Sequence, residues 1–268
     1  CMAFDLGSVS IVCALIFSII STFGSYYYSD KIVLTVNNAR PATPEENRQL
    51  VNILDGLMVS SGLEHRPGLY VVDDPQPNAF ATGRNPEHAV ICVTTGLLEK
   101  LEYYELEGVV GHELAHIKNY DIRLSAVVSV MLGFVVMLSD FFSRALFWGG
   151  FKDNDNDKNS GNAILMLIGL IFLILSPIFG QLMQLAISRK REFLADATSV
   201  EFTRNPEGLI SALQKISGDP EQLETANNST AHMYIVNPFR DKKGKKTSSI
   251  WSTHPSLEDR VDALRHIN

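Results

Sequence analysis

Three long stretches without a charged side chain divide this chain and limit what it can fold into. Leu6 to Ser29, containing VSIVCALIFSIISTFG, is long enough with its flanks to cross a hydrocarbon core of about 30 Å as a helix, and Tyr26, Tyr27 and Tyr28 suit a membrane–water interface. Leu124 to Ser139 reaches spanning length only if its helix continues past Asp140 and Arg144 towards Trp148; those two charges sit four apart and can pair or snorkel at the boundary. Asn159 to Ser188, containing AILMLIGLIFLILSPIFG, is the strongest spanning candidate, and Pro177 is placed to kink it. Buried core helices are the alternative for all three; lengths near the spanning threshold favour the bilayer.

Charges in the short flanking loops orient these spans. Lys31 and Arg40 follow the first, Lys118 and Arg123 precede the second, and Arg189, Lys190 and Arg191 follow the third, whereas the loop FKDNDNDKNSG between spans two and three is mostly acidic. The expected organisation is a transmembrane helix over 6–29, a soluble part over 30–122, a transmembrane hairpin over 123–188 and a second soluble part over 189–268. The hairpin returns both soluble parts to the cytoplasmic side, where they can form one composite domain. A net charge of −7 argues against nucleic acid as a partner, since the one basic run, Lys242 to Lys246, is short and has no aromatic interleaving. Cys1, Cys13 and Cys92 form no paired motif, so no disulfide framework is expected. The chain opens on Cys1 in place of Met, from which an upstream start is expected.

The chemistry is concentrated in YYELEGVVGHELAHIKNYD, Tyr103 to Asp121, where Leu106, Val109, Val110, Leu114 and Ile117 recur at helical spacing. Residues four apart share a helix face, so His112 and His116 can aim two imidazoles at one cation, and Glu113 can reach a water there without being a ligand. The same short pattern also occurs as a solvated face or a satisfied core pair. A catalytic zinc usually takes three protein ligands, so two histidines require another donor. SRKREFLADATSVEF, directly after the third apolar stretch, offers Glu192, with Asp196 four residues on to fix a ligand imidazole's tautomer. Taken alone, these are equally read as two exposed acids offsetting Arg189, Lys190 and Arg191.

GHELAHIKNYD, a membrane hairpin, SRKREFLADA and then WSTHPSLEDR near the C-terminus, in that order, resemble the HtpX-type integral-membrane zinc metalloproteases, relatives of the CAAX prenyl endoproteases. PNAFATG at Pro77 to Gly83 and VTTGLL at Val93 to Leu98 extend the resemblance over most of the chain. Members usually carry one more transmembrane helix ahead of the one at Leu6 to Ser29, a departure that fits an upstream start. The resemblance implies one zinc ion held by His112, His116 and Glu192, with Glu113 as catalytic base. It implies further that Asn78, with Ala79 to Thr82, is the edge strand receiving an extended substrate; the plain alternative is a turn after DDPQP leading into an ordinary strand. His254 resembles the histidine that stabilises the tetrahedral intermediate, and Arg260 a nearby electrostatic partner; without the family, His254 reads as a loop or cap residue.

The implied fold is α+β and mainly helical: transmembrane helices with a cytoplasmic zincin-like (gluzincin) protease domain. A small sheet from Gly68 to Val72, Ala79 to Thr82 and Ala89 to Val93 is expected to pack on the motif helix. The implied activity is zinc-dependent hydrolysis of internal peptide bonds in misfolded or membrane proteins, at the cytoplasmic surface of the bacterial inner membrane. Prenyl-protein processing and a non-catalytic zinc-binding membrane scaffold are the competing readings. Structural zinc sites are normally closed by four ligands, often cysteines, and no cysteine lies near these motifs. Gly218 to Thr247, rich in Asp, Asn, Lys and Gly, reads either as a mobile segment able to cover the cleft or as a disordered insert.

Overall fold

The computed structural model describes residues 24, 26–45, 47–128, 188–219, 233–235 and 255–267. In chain order these form α1 (Ser29–Val36), β1 (Arg40–Pro41), α2 (Arg48–Ser61), β2 (Gly68–Val72), β3 (Ala79–Thr82), a 3₁₀ turn (Pro86–His88), β4 (Val90–Thr94), α3 (Thr95–Lys100), α4 (Tyr103–Lys118), α5 (Arg189–Thr203), α6 (Pro206–Gly218) and α7 (Leu257–Arg265). Residues 121–128 are also helical. The mainly helical α+β expectation holds for these residues, which carry one small mixed sheet. The three expected spans lie outside the described residues except at their ends. Among the described residues no helix is long and apolar enough to cross a membrane.

The sheet runs β1-β2-β4-β3, with β2 and β4 parallel and the other pairs antiparallel. Alternation sorts its side chains onto two faces. Leu69, Val71, Ala79, Ala81, Ile91 and Val93 enter the main core, while Val72, Phe80, Val90 and Cys92 pack on the other side with Val33 of α1 and with Met233 and Tyr234. The expected strand at Ala89 to Val93 lies one residue further on, since Ala89 closes the preceding 3₁₀ turn with its N–H on the Pro86 carbonyl. β1 went unanticipated: two residues, one of them proline, give no strand period, and they fit only at a sheet edge. Of the segment expected as a cleft cover, Gly218, Asp219 and Met233 to Ile235 are described; the rest lies outside the described residues.

Helix α4 is buried along most of its length, between the sheet and helices α2, α5 and α6. Its start is fixed by a reciprocal cap: the Glu102 side chain accepts from the Glu105 N–H, and the Glu105 side chain accepts from the Glu102 N–H at 2.8 Å. Ser211 Oγ and Lys215 Nζ on α6 also donate to Glu105, at 2.5 and 2.7 Å, so one carboxylate caps α4 and ties it to α6. Those helices meet almost backbone to backbone. A Cβ on Gly108 would lie 2.8 Å from the Leu209 nitrogen, and one on Gly208 would lie 2.5 Å from the Tyr104 carbonyl oxygen.

Gly108→Ala is therefore expected to destabilise the fold by about 1–3 kcal/mol through overpacking. Gly56→Ala, at an open and exposed position inside α2, is expected to stabilise it by about 0.5–1 kcal/mol. Urea denaturation of both variants checks the opposite signs. Burial alone would raise the Glu105 pKa, but the bonds from Lys215, Ser211 and the Glu102 N–H outweigh it and hold the carboxyl below its ordinary value. A carboxyl with a lowered folded pKa stabilises the fold above its unfolded pKa, a contribution lost as pH falls through the folded value. Glu105→Gln should accordingly cost about 1–3 kcal/mol at pH 7, and the gap to the parent should close below about pH 4; melts across that range check it.

Candidate metal centre

Because α4 advances 3.6 residues per turn, His112 and His116 share one face, with their Nε2 atoms 3.2 Å apart. Glu192, in the first turn of α5, meets them from the neighbouring helix: its Oε2 lies 3.7 Å from His112 Nε2 and its Oε1 3.6 Å from His116 Nε2. One ligand atom from each of the three residues falls within 4.8 Å of the others. The close approach of α4 to α5 is permitted at Gly111, where a Cβ would stand 2.8 Å from Ser199 Oγ. Ser199 Oγ donates to the Gly108 carbonyl at 2.8 Å and pins the two helices together.

The rear nitrogens of both imidazoles are held by carboxylates. His112 Nδ1 lies 2.9 Å from Asp196 Oδ1, and His116 Nδ1 lies 3.0 Å from Asp121 Oδ2. A carboxylate only accepts, so each Nδ1 carries a hydrogen, and either ring when neutral turns a lone pair inwards through Nε2. With both rings neutral, two lone pairs and a carboxylate converge on one point, where a cation would take the place of the proton that His116 otherwise holds. That donor set fits a cation, and two imidazoles with one carboxylate suit zinc.

Around this point the charges are strongly biased. Arg260 of α7, only 2% exposed, grips Asp196 with two bonds, Nε to Oδ2 at 2.8 Å and Nη2 to Oδ1 at 2.6 Å. Burial alone would raise the Asp196 carboxyl; Arg260 and His112 together pull it down to about 2. For His112 burial dominates, helped by the Arg260 and His116 charges, and brings the ring down to about 4 despite Asp196. His116 goes the other way: burial opposes its charge, but Asp121, Glu192 and Glu113 together lift it to about 9. The pocket thus favours positive charge at its centre. Glu113, 2% exposed, is raised to about 7 by burial, with Glu192 adding to the effect and His116, Arg260 and a main-chain hydrogen bond from Ala81 opposing it. A carboxyl near 7 is suited to exchanging a proton at neutral pH.

The structure therefore brings His112, His116, Glu113, Glu192, Asp196 and Arg260 into one site from α4, α5 and α7. His254 lies outside the described residues. Ala79 opens the edge strand β3, which packs on α4, and Asn78 immediately precedes it. Asn78 is buried, with its N–H on Thr94 Oγ1 at 2.9 Å and its side-chain oxygen accepting from the Ala79 N–H at 3.1 Å. Asp121 was missed as a partner of His116. It follows the end of α4, where helical spacing no longer applies, and its signal is local: Tyr120 takes a left-handed turn, φ 60°, that brings Asp121 back to the histidine.

The chain resembles known proteins in both sequence and fold. The chain is 43% identical over 265 residues to a "Protease HtpX homolog" of Caldanaerobacter subterraneus subsp. tengcongensis, covering 98% of this chain and 87% of that protein. It is 43% identical over 262 residues to a protein of the same description from Dictyoglomus thermophilum, covering 98% and 83%. Its fold is similar to the crystal structure of S. mikatae Ste24p, with a TM-score of 0.53 and 19% identity, over 98% of this chain and 59% of that one. Peptidase family M48 matches residues 44–268, and to that family of metallopeptidases the chain belongs.

Proposed function

We propose that this chain is a zinc-dependent endopeptidase whose metal is held by His112, His116 and Glu192 and whose proton carrier is Glu113. The observation that carries this reading is the convergence of two carboxylate-backed Nε2 atoms and the Glu192 carboxylate beside a buried acid near neutrality, in a chain of Peptidase family M48. Zinc at such a site supplies a Lewis acid that polarises a scissile carbonyl and makes water nucleophilic. The chain's own residues do the rest. Glu113 takes the proton from the attacking water and returns it to the leaving amine nitrogen. Asp196 and Asp121 hold the imidazoles in the tautomer that presents Nε2. Arg260 keeps Asp196 ionised and in register, and His254 donates to the developing oxyanion.

The substrates are polypeptides. Their further description as misfolded or membrane proteins, met at the cytoplasmic face of the bacterial inner membrane, is supported by the apolar stretches at Leu6 to Ser29, Leu124 to Ser139 and Asn159 to Ser188, and by the basic residues flanking them. In this arrangement 6–29 anchors the chain, 123–188 forms a membrane hairpin, and 30–122 with 189–268 makes the protease domain. The likeness to proteins described as HtpX homologues favours quality control over prenyl-protein processing.

Glu113→Gln is expected to keep its zinc and lose about 10²–10⁴-fold in casein hydrolysis, whereas Glu192→Ala should lose the zinc itself. Metal content and initial rates in detergent-purified protein separate the two outcomes. A Glu113→Gln variant as fast as its parent would refute the assigned base.

A further inference from the structure

An edge strand offers unpaired main-chain groups to any extended partner, and β3 is an edge of the sheet. Here its outward side is already engaged by the chain itself. The Ile235 N–H donates to the Ala79 carbonyl at 2.9 Å, and Tyr234 pairs antiparallel with Phe80. β3 itself packs on α4, the helix that carries the candidate base Glu113, and the Ala81 main chain acts on that carboxyl. The Ile235 carbonyl accepts from Arg260 Nη1 at 3.3 Å, and the other arm of that guanidinium holds Asp196 behind His112. Side chains complete the seat. The Tyr234 ring stands edge-on to Phe80 with centroids 4.9 Å apart, its hydroxyl donates to Asn37 Oδ1 at 2.9 Å, and only 1% of the residue is exposed. A backbone laid antiparallel on the strand next to the base, with its next carbonyl on a buried cation of the site, is bound as an extended peptide substrate would be.

We propose that Met233 to Ile235 occupies the substrate strand's place, so that the resting site is self-occupied and admits a polypeptide by exchange with this segment, preferring an aromatic residue over Phe80 followed by an aliphatic one. The proposal rests on the reading of this centre as a peptidase site. Self-occupancy lowers the fraction of molecules competent to bind, so it raises the apparent KM by the reciprocal of that fraction and leaves kcat alone. Each anchor of the segment thus becomes a determinant of substrate affinity. The hydroxyl of Tyr234, its ring on Phe80, the N–H of Ile235 and the Ile235 carbonyl on Arg260 are the four that the geometry names.

The test is casein hydrolysis by the full chain in detergent, comparing the parent with Tyr234→Phe, Tyr234→Ala and Ile235→Pro. Tyr234→Phe removes only the bond to Asn37 and should lower KM by roughly three- to tenfold at unchanged kcat. Tyr234→Ala removes the ring, and Ile235→Pro removes the N–H that Ala79 accepts; both should lower KM further. A Tyr234→Phe protein that melts within about 3 °C of its parent and shows an unchanged or higher KM overturns the proposal, whether or not the two larger substitutions fold. A synthetic peptide of sequence TAHMYIVN should inhibit the Tyr234→Ala protein at least about fivefold better than its analogue with alanine for Tyr and Ile; equal inhibition overturns the stated preference. Glu113→Gln placed in each variant separates the two readings. Activity undiminished by it means that this centre has been wrongly assigned as the peptidase site, whereas activity lost with it together with an unmoved KM in the Glu113-containing variants means only self-occupancy has failed.

Discussion

A guanidinium and a carboxylate removed from water together, Arg260 and Asp196, underlie the arrangement of this site. Each ion alone would cost several kcal/mol to bury, and the pair is tolerated because two parallel hydrogen bonds, the His112 ring and the Ile235 carbonyl satisfy nearly every donor and acceptor. Through it α7 is fixed to α5, α5 to the first histidine of α4, and the segment at 233–235 to all of them. Lysine would not replace Arg260 here, since an ammonium offers no planar fork to span Asp196 and still reach Ile235.

Helix α4 carries packing and chemistry at once. Its apolar side builds the main core, its glycines let α5 and α6 come close enough to deliver Glu192 and cap the helix start, and its remaining face holds His112, Glu113 and His116. The same close packing that excludes water raises the Glu113 carboxyl towards neutrality. Rigidity and reactivity therefore come from one cause: a tightly covered helix whose Glu105, His112 and His116 are each held by a named partner.

Much of this was legible in the sequence, for reasons that differ by residue. His112, Glu113 and His116 are readable because helical periodicity converts spacing into a shared face, and the apolar residues between them declare the helix. Glu192 and Asp196 are readable only through the family resemblance, since nothing local distinguishes them from solvated acids; their burial against α4 depends on tertiary packing. The strands at 68–72 and 79–82 show in their apolar runs, but β1 is too short to carry a period. The partners that most shape the site escaped notice for the same reason. Asp121 lies past a helix end, and Tyr234 and Ile235 sit in a polar, glycine-containing stretch whose composition says nothing of strand pairing.

The turn after α4 carries a constraint of a different kind. Asn119 and Tyr120 close the helix with bonds back to Ala115 and Ile117, and the left-handed Tyr120 swings Asp121 onto the imidazole of His116. Helix termination and the aim of a ligand are therefore set by the same few residues. Many side chains would serve at the exposed position 118 and the half-buried 119, provided the count from His116 to Asp121 stays the same. Homologous sequences should drift in spelling across this interval while conserving its length, since one inserted or deleted residue would leave the carboxylate facing the wrong side of the turn.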